Sequence, residues 1–355
     1  MQELKIGDLT LKNPILQGGM GIGVSMSGLA SAVANEGGVG IISSAGLGLL
    51  KPARGLTYTE ANIQALADEI QKARKKTNGL IGINIMVAMT NYGDMVKTSI
   101  SEKVDFIFSG AGLPMDLPSY LNGSRKTKLV PIVSSARAAK IICEKWKNQY
   151  DYLPDAIVVE GPKAGGHLGF KLNQLTDDNY SLEHLIPEVV EVVKVFEDKY
   201  NVKIPVIAAG GIYTGQNIRD IMRLGASGVQ LGTRFVTTTE CDASDAFKQL
   251  YISSKEEDVS IILSPVGMPG RAINNSFIEK VNLGEKHPLN CPFKCIRTCN
   301  TETSPYCIIK ALISAYKGNF KTGYAFAGSN AYLTKKIISV KETFNDIMRE
   351  YSLSI

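Results

Sequence analysis

The sequence predicts a (β/α)8 TIM barrel of the α/β class, carrying a smaller C-terminal lid domain. Three observations predict it. Short apolar runs rich in Val and Ile recur eight times over roughly 240 residues, the length such a barrel needs. Amphipathic stretches separate the runs. Nearly every run ends in small, polar or glycine-rich residues.

The candidate strands, in order, are Ile15–Gln17, Val39–Ser43, Leu80–Met86, Val104–Ser109, Lys128–Val133, Ala156–Glu160, Ile204–Ala209 and Gly228–Leu231. They are short and apolar throughout, as strands buried on both faces must be. Ala61–Lys76, Ala136–Asn148, Leu185–Tyr200 and Asn217–Leu224 read as helices between them. A doubly wound open sheet is the structural alternative. In a barrel the strand ends converge on one face, where active sites form. Gln17-Gly18-Gly19-Met20-Gly21, Ser43-Ser44-Ala45-Gly46, Ser109-Gly110-Ala111-Gly112, Glu160-Gly161, Gly210-Gly211 and Gly232-Thr233 therefore describe one site, with Asn84 inside the third strand.

Within that site the sixth unit stands out. Val158-Val159-Glu160-Gly161-Pro162-Lys163-Ala164-Gly165-Gly166-His167-Leu168-Gly169-Phe170 runs a buried strand into a glycine-rich loop around one histidine. Glycines admit close approach of a flat ligand or a phosphate. A histidine there suits proton transfer near neutral pH. Paired glycine ends at the seventh and eighth strands, Gly210-Gly211 and Gly232-Thr233, form the barrel phosphate cradle, with backbone N–H groups aimed at an anion. The bland alternative is tight turns and an incidental histidine. No dinucleotide fingerprint competes: Gly19-Met20-Gly21-Ile22-Gly23 lacks the last glycine, whose place Met26 takes.

The combination of Pro14-Ile-Leu-Gln-Gly-Gly-Met20, Gly82-Ile-Asn-Ile-Met86, Glu160-Gly-Pro-Lys-Ala-Gly-Gly-His167, Ile204-Pro-Val-Ile-Ala-Ala-Gly-Gly211 and Val229-Gln-Leu-Gly-Thr-Arg-Phe235 resembles the flavin-dependent nitronate monooxygenases and the type II enoyl-acyl-carrier-protein reductases. The similarity covers Pro14 to about Val236 and resumes around Arg271–Asn275 and Gly323–Leu333. It implies FMN. Gly19 and Met20 would lie against the isoalloxazine, and Asn84 and Glu160 would bond its polar edge or ribityl chain. Gly165, Gly211, Gln230, Gly232 and Thr233 would complete the ribityl and phosphate contacts. His167 matches the catalytic histidine, and Lys163 is a weaker candidate for the same proton.

The resemblance divides the chain into a barrel over 1–237, a lid over 238–320 that covers the flavin, and a return to the barrel over 321–355. Ser264-Pro-Val-Gly-Met-Pro-Gly-Arg271 reads as a substrate-side loop. Its Arg271 is either a group that steers an acyl carrier or steadies a thioester oxygen, or a surface arginine. Cys291, Cys295, Cys299 and Cys307 are crowded as C-x3-C-x3-C-x7-C, with Pro292 and Pro305 stiffening the run. Four thiolates this close suit a [4Fe–4S] cluster, with Zn2+ and then loose thiols the alternatives. Some flavoproteins of this superfamily that act on acyl-carrier-protein thioesters look similar here and hold an iron–sulfur cluster. Lys280, Lys286, Lys294 and Arg297 surround the region; charges scattered on a solvated surface are the commoner explanation, and contact with an acidic carrier protein is the alternative.

Composition narrows the classes. Hydrophobic residues at 44% and charged residues at 21% fit a globular domain, and a net charge of +5 without a basic block gives no nucleic-acid groove. No apolar run is long enough to span a bilayer, and Met1 to Asn13 lacks a signal-peptide core, so a cytoplasmic enzyme is expected. Acyl carrier protein, a small-molecule substrate and a second copy of the chain are the expected partners, with NAD(P)H or O2 as redox partner. Three functions remain. One is 2,3-enoyl reduction of acyl-carrier-protein thioesters, or the reverse dehydrogenation with double-bond isomerisation. Another is FMN- and O2-dependent oxidation of nitronates. The third is a phosphate-site barrel without flavin; its IMP-dehydrogenase-like form wants a nucleophilic cysteine, and 156–209 contains none. His184 and His287 read as surface groups, His287 also as a neighbour of the cysteines, and Trp146 as packing.

Overall fold

A computed structural model describes residues 1–51, 55–286, 291 and 293–353; His287 and Pro292 lie outside them. Thirteen strands follow in chain order. β1 (Leu4–Ile6) and β2 (Leu9–Leu11) form an antiparallel hairpin. β3 (Ile15–Gln17), β4 (Val39–Ser43), β5 (Leu80–Met86), β6 (Phe106–Gly110), β7 (Lys128–Val133) and β8 (Ile157–Glu160) follow, then β9 (Gly166–His167), β10 (Val206–Ala209) and β11 (Gly228–Leu231). β12 (Val259–Leu263) and β13 (Pro269–Ile273) come last. Eight of them close a parallel barrel in the order β3-β4-β5-β6-β7-β8-β10-β11, with β11 returning to β3. The (β/α)8 barrel of the sequence reading is present.

Strand alternation builds two cores. Leu16, Val39, Ile41, Phe106, Phe108, Val130, Val158, Ile207 and Ala209 form a cluster inside the barrel, which Leu4, Ile6 and Leu11 of the hairpin join. Their neighbours along each strand, such as Ile15, Ile42, Ile83, Ile107, Ile157 and Ala208, face the helices and pack with Leu29, Leu66, Ile142, Trp146 and Ile186. This is why the strands read as continuous apolar runs. Trp146 is the packing residue expected, its indole N–H donating to the Pro114 carbonyl at 3.0 Å.

Where boundaries differ, backbone chemistry decides. Lys103 is left-handed (φ 57°) and Val104 donates to Ser99 at 3.2 Å, so the chain is still leaving a helix and β6 starts at Phe106. Pro205 has no N–H to give a ladder, so β10 starts at Val206. The helix expected from Ala136 starts there, but two others start earlier than apolar periodicity suggests because caps set their ends. Thr57 and Glu60 form a capping box for Tyr58–Lys76, and Thr214 and Asn217 one for Gly215–Arg223.

After β11 the chain builds a cover over the barrel mouth. β12 pairs with β13, and β13 pairs with β9, so the covering sheet takes its third strand from the loop after β8. Ile262, Val266, Phe277, Tyr306 and Tyr324 belong to a core of the cover's own. Asp242, at its root, accepts N–H bonds from Met26, Gly28 and Leu29 at 2.8, 3.0 and 3.1 Å, capping the first helix, Ser27–Asn35, across the sequence. The last helix, Val340–Leu353, returns to pack on Gly215–Arg223 and Ser27–Asn35. Among the described residues no helix is long and apolar enough to cross a membrane.

Candidate active site

The strand period that fills the barrel with Val158 and Ile207 also places Glu160 and Ala209 inside, two residues further on. Glu160 pairs with Ala209, and Ala209 with Gln230, across β8, β10 and β11. A polar rim of Asn84, Glu160 and Gln230 therefore sits on an apolar floor at the C-terminal mouth. It opens into a cavity of about 650 Å³ roofed by the cover, within the range of small-molecule sites. Gly19, Met20, Asn84, Glu160, Gly165, His167, Gly211, Gln230, Gly232 and Thr233 all line it. Residues separated by more than two hundred positions are brought together on one wall.

The rim is chemically incomplete by itself. Gln230 Oε1 is buried without a hydrogen-bond partner, a cost that a ligand N–H or O–H would remove. Beside it the backbone is stripped to admit a ligand. A Cβ on Gly232 would meet only Met20, with its sulfur at 3.5 Å. A Cβ on Gly19 would fall 2.3 Å from Asn84 Cβ, so only glycine lets the first loop lie against β5. Gly211 is left-handed (φ 78°), and Asn330 Nδ2 fixes its carbonyl at 2.7 Å. Thr233 Oγ1 accepts the Gly328 N–H at 3.1 Å, leaving its own proton to donate. An orphaned amide above a glycine-lined cradle fits a flat, polar, phosphate-bearing group such as FMN.

Burial alone raises the Glu160 carboxyl to about 7. The folded chain thus keeps a proton that the unfolded chain releases near 4.5. Stability from this group is present below about 4.5 and lost as pH rises through about 7. Glu160→Gln should remove that decline. In thermal unfolding of flavin-free protein from pH 4 to 8, the variant should gain about 3 kcal/mol over the parent at the alkaline end; parallel profiles would show that Glu160 ionises freely.

His167 ends β9 and forms part of the cavity wall. Its Nε2 lies 2.7 Å from Ser264 Oγ, and its ring meets Phe326 edge-on at 5.0 Å. Burial pushes its pKa down to about 4, leaving a neutral imidazole at pH 7. Ser264 and Phe326 escaped the sequence reading. The Ser264–Arg271 loop drew attention for its arginine, and nothing local marks a serine that meets a histidine 97 residues away.

Arg271 itself plays neither role considered for it. Buried under the loop, its Nη1 donates to the carbonyls of Pro162 and Ala164 at 2.5 and 2.7 Å, clamping the backbone that carries His167. Lys163 is exposed and is the one Lys or Arg lining the cavity among the described residues. His184 is exposed beside the Ser181 hydroxyl at 3.0 Å.

The expected metal set is not assembled. Cys291, Cys295, Cys299 and Cys307 are all free thiols, and among the described residues no three His, Cys, Asp or Glu side chains are grouped to hold a metal. Cys295 lies in an apolar cluster with Ile22 and Ile309, against which Cys307 also packs, while Thr90 N–H donates to the Cys295 carbonyl at 3.1 Å. Cys299 faces the Ser304 hydroxyl at 3.8 Å, and Cys307 precedes the helix Ile308–Tyr316. Burial pushes the Cys295 thiol up to about 12, and its neighbours Cys307, Cys291 and Cys299 add to the shift. The four thiols thus share one neighbourhood but are not grouped as ligands for the expected [4Fe–4S] cluster or Zn2+ among the described residues.

The family model of the nitronate monooxygenases matches residues 2–350. A probable nitronate monooxygenase of Staphylococcus aureus is 31% identical over 312 residues, covering 77% of this chain and 79% of that protein. The (3aS,4S,5R,7aS)-5-hydroxy-7a-methyl-1-oxo-octahydro-1H-indene-4-carboxyl-CoA dehydrogenase of Mycobacterium tuberculosis is 29% identical over 276 residues, 78% of this chain and 67% of that protein. FabK from Thermotoga maritima superposes with a TM-score of 0.75 at 28% identity, over 97% of this chain and 94% of the other. Nitroalkane oxidase from Streptomyces ansochromogenes, at 20% identity and a TM-score of 0.73 over 97% of each chain, shares the fold.

Proposed function

From the premise that this chain belongs to the nitronate monooxygenase family of FMN-dependent oxidoreductases, we propose that it acts on acyl thioesters carried by an acyl carrier protein. The reaction is 2,3-enoyl reduction, or the reverse dehydrogenation with double-bond isomerisation. One observation carries the choice of substrate: beyond the polar rim the cavity wall is hydrocarbon, made by Met86, Met89, Ile296, Ile309 and Leu312. That wall suits an acyl chain. A small anionic nitronate would instead ask for a cation; Arg271 is turned away to backbone carbonyls, which leaves exposed Lys163 as the one Lys or Arg on the wall among the described residues. The mycobacterial relative, named for a carboxyl-CoA substrate, supports a thioester reading.

FMN, when bound, supplies the two-electron chemistry, with NAD(P)H or O2 as redox partner. Gln230, Asn84 and Glu160 would hold its polar edge and ribityl chain. The amides around Gly165, Gly211, Gly232 and Thr233 would hold the phosphate, and Gly19 with Met20 would face the ring. His167 takes the α-proton in dehydrogenation and returns it in reduction; a neutral ring can do the first without prior deprotonation. The cover excludes water from that exchange.

Nitronate oxidation is the second reading, favoured by the staphylococcal relative. One experiment separates the two. Oxidised, flavin-loaded protein is mixed anaerobically with a saturated medium-chain acyl carrier protein, and its visible absorbance is followed. Bleaching is the expected result. Bleaching with an alkyl nitronate alone would move the assignment to nitronate oxidation. If neither substrate bleaches the flavin, 2-enoyl acyl carrier protein is added with a reduced nicotinamide, and no turnover there would sink the thioester reading.

A further inference from the structure

Behind His167, on the side away from the cavity, stands Ser264. It is 3% exposed, does not line the cavity, and its hydroxyl lies 2.7 Å from Nε2. Its loop is fixed by its own backbone: Ser264 N–H donates to Met268 and Gly267 N–H to Ser264, both at 2.9 Å. Val266 N–H approaches the same hydroxyl at 3.5 Å. From the other direction, His167 pairs with Gly270 in the covering sheet, and Leu168 N–H donates to Pro269 at 2.9 Å. Ring and hydroxyl are thus held by two arms of one small sheet. Phe326 takes the remaining flank.

We infer that Ser264 is the positioning residue of the site: it holds Nε2, so that Nδ1 is the atom through which His167 exchanges protons with a ligand. The inference rests on the reading of His167 as the proton carrier. A hydroxyl in this place differs from the carboxylate that orients many catalytic histidines. A carboxylate only accepts, which fixes Nε2–H and leaves Nδ1 bare. A serine hydroxyl accepts or donates. With Nε2–H donated to Oγ, Nδ1 presents a lone pair; with Oγ–H donated to Nε2, Nδ1 presents its proton. Turning one hydroxyl thus prepares the neutral ring for either direction of transfer. When the ring takes a proton, the new bond forms at Nδ1, Nε2–H stays on Oγ, and the ring carries the charge until it gives the proton back. Because Ser264 belongs to the cover, the histidine is oriented only while the cover sits on the barrel.

The test uses flavin-loaded Ser264→Ala and Ser264→Thr with the parent protein, combining steady-state kinetics with 15N NMR of labelled histidine. The chain has three histidines, so His167 is assigned by its loss in His167→Gln. Expected for Ser264→Ala are a fall in kcat of about 10-fold at nearly unchanged KM, a displaced pH profile, and an Nε2 resonance that loses its hydrogen-bonded shift. Ser264→Thr, which keeps the hydroxyl, should restore all three. Unchanged kcat and 15N shifts in Ser264→Ala would overturn the inference. So would equal losses in both variants with an unmoved 15N titration, the mark of packing alone. If His167→Ala retains turnover, the proton-carrier reading fails instead, and the resonance of Nε2 still reports whether Ser264 binds it.

Discussion

His167→Ala should retain its flavin and lose turnover by about 10²–10⁴-fold, the usual contribution of a positioned acid or base. The ring touches Ser264 and Phe326, whereas the rim of Asn84, Glu160 and Gln230 and the glycine cradle lie on other strands. Removing it therefore leaves the cofactor's polar contacts in place. Flavin content by absorbance and kcat by steady-state turnover separate the two effects. The parent's pH profile carries a second signature. With the imidazole pushed down to about 4, activity that needs a neutral ring should stay level below the ordinary histidine range near 6.5 and fall only as pH approaches about 4. A His167→Ala enzyme at parental speed would remove this residue from the chemistry, and an acid limb near 6.5 that persists in Glu160→Gln, where the carboxyl raised to about 7 is gone, would contradict the buried neutral ring.

Gly165→Ala should act in the opposite sense, on the cofactor rather than the proton. Its new Cβ would lie 2.5 Å from the Ala327 carbonyl carbon and 2.6 Å from Gly328 N. Both are backbone atoms, so no side chain can turn away; the two walls must separate. Gly328 N–H is bonded to Thr233 Oγ1, so the displacement reaches the phosphate cradle. Flavin affinity should fall about 100-fold, close to 3 kcal/mol, with the circular dichroism of the folded barrel retained. Fluorescence titration of flavin-free protein measures it. Parental affinity would show that the loop after β8 yields without disturbing Thr233.

The barrel was legible because burial on both faces writes itself into composition: Ile81, Ile83 and Ile85 face the helices while Gly82 and Asn84 face inward, and either set alone would have looked different. Strand ends were legible where glycine has a steric reason, as at Gly19 against Asn84. What escaped has no local trace. Ser264 gains meaning only because β13 carries its loop to β9, a pairing that no periodicity announces. Arg271 looked free because the carbonyls it clamps, those of Pro162 and Ala164, lie more than a hundred residues away. The cysteines were legible only in part. Their compact spacing does bring Cys295 and Cys307 to one apolar cluster with Ile22 and Ile309, yet it does not arrange the thiols as metal ligands among the described residues.

The carboxylate of Asp242 has a meaning for synthesis as well as for stability. The first helix of the barrel, Ser27–Asn35, leaves the ribosome without the acceptor for its leading amides, which is encoded 216 residues after Met26. At translation rates of about 5–20 residues per second the wait is roughly 10–40 s. For nearly all of it β3 also lacks its partner β11, Gly228–Leu231. The N-terminal quarter of the nascent chain therefore waits with an open strand edge, and the cylinder is sealed from its far end.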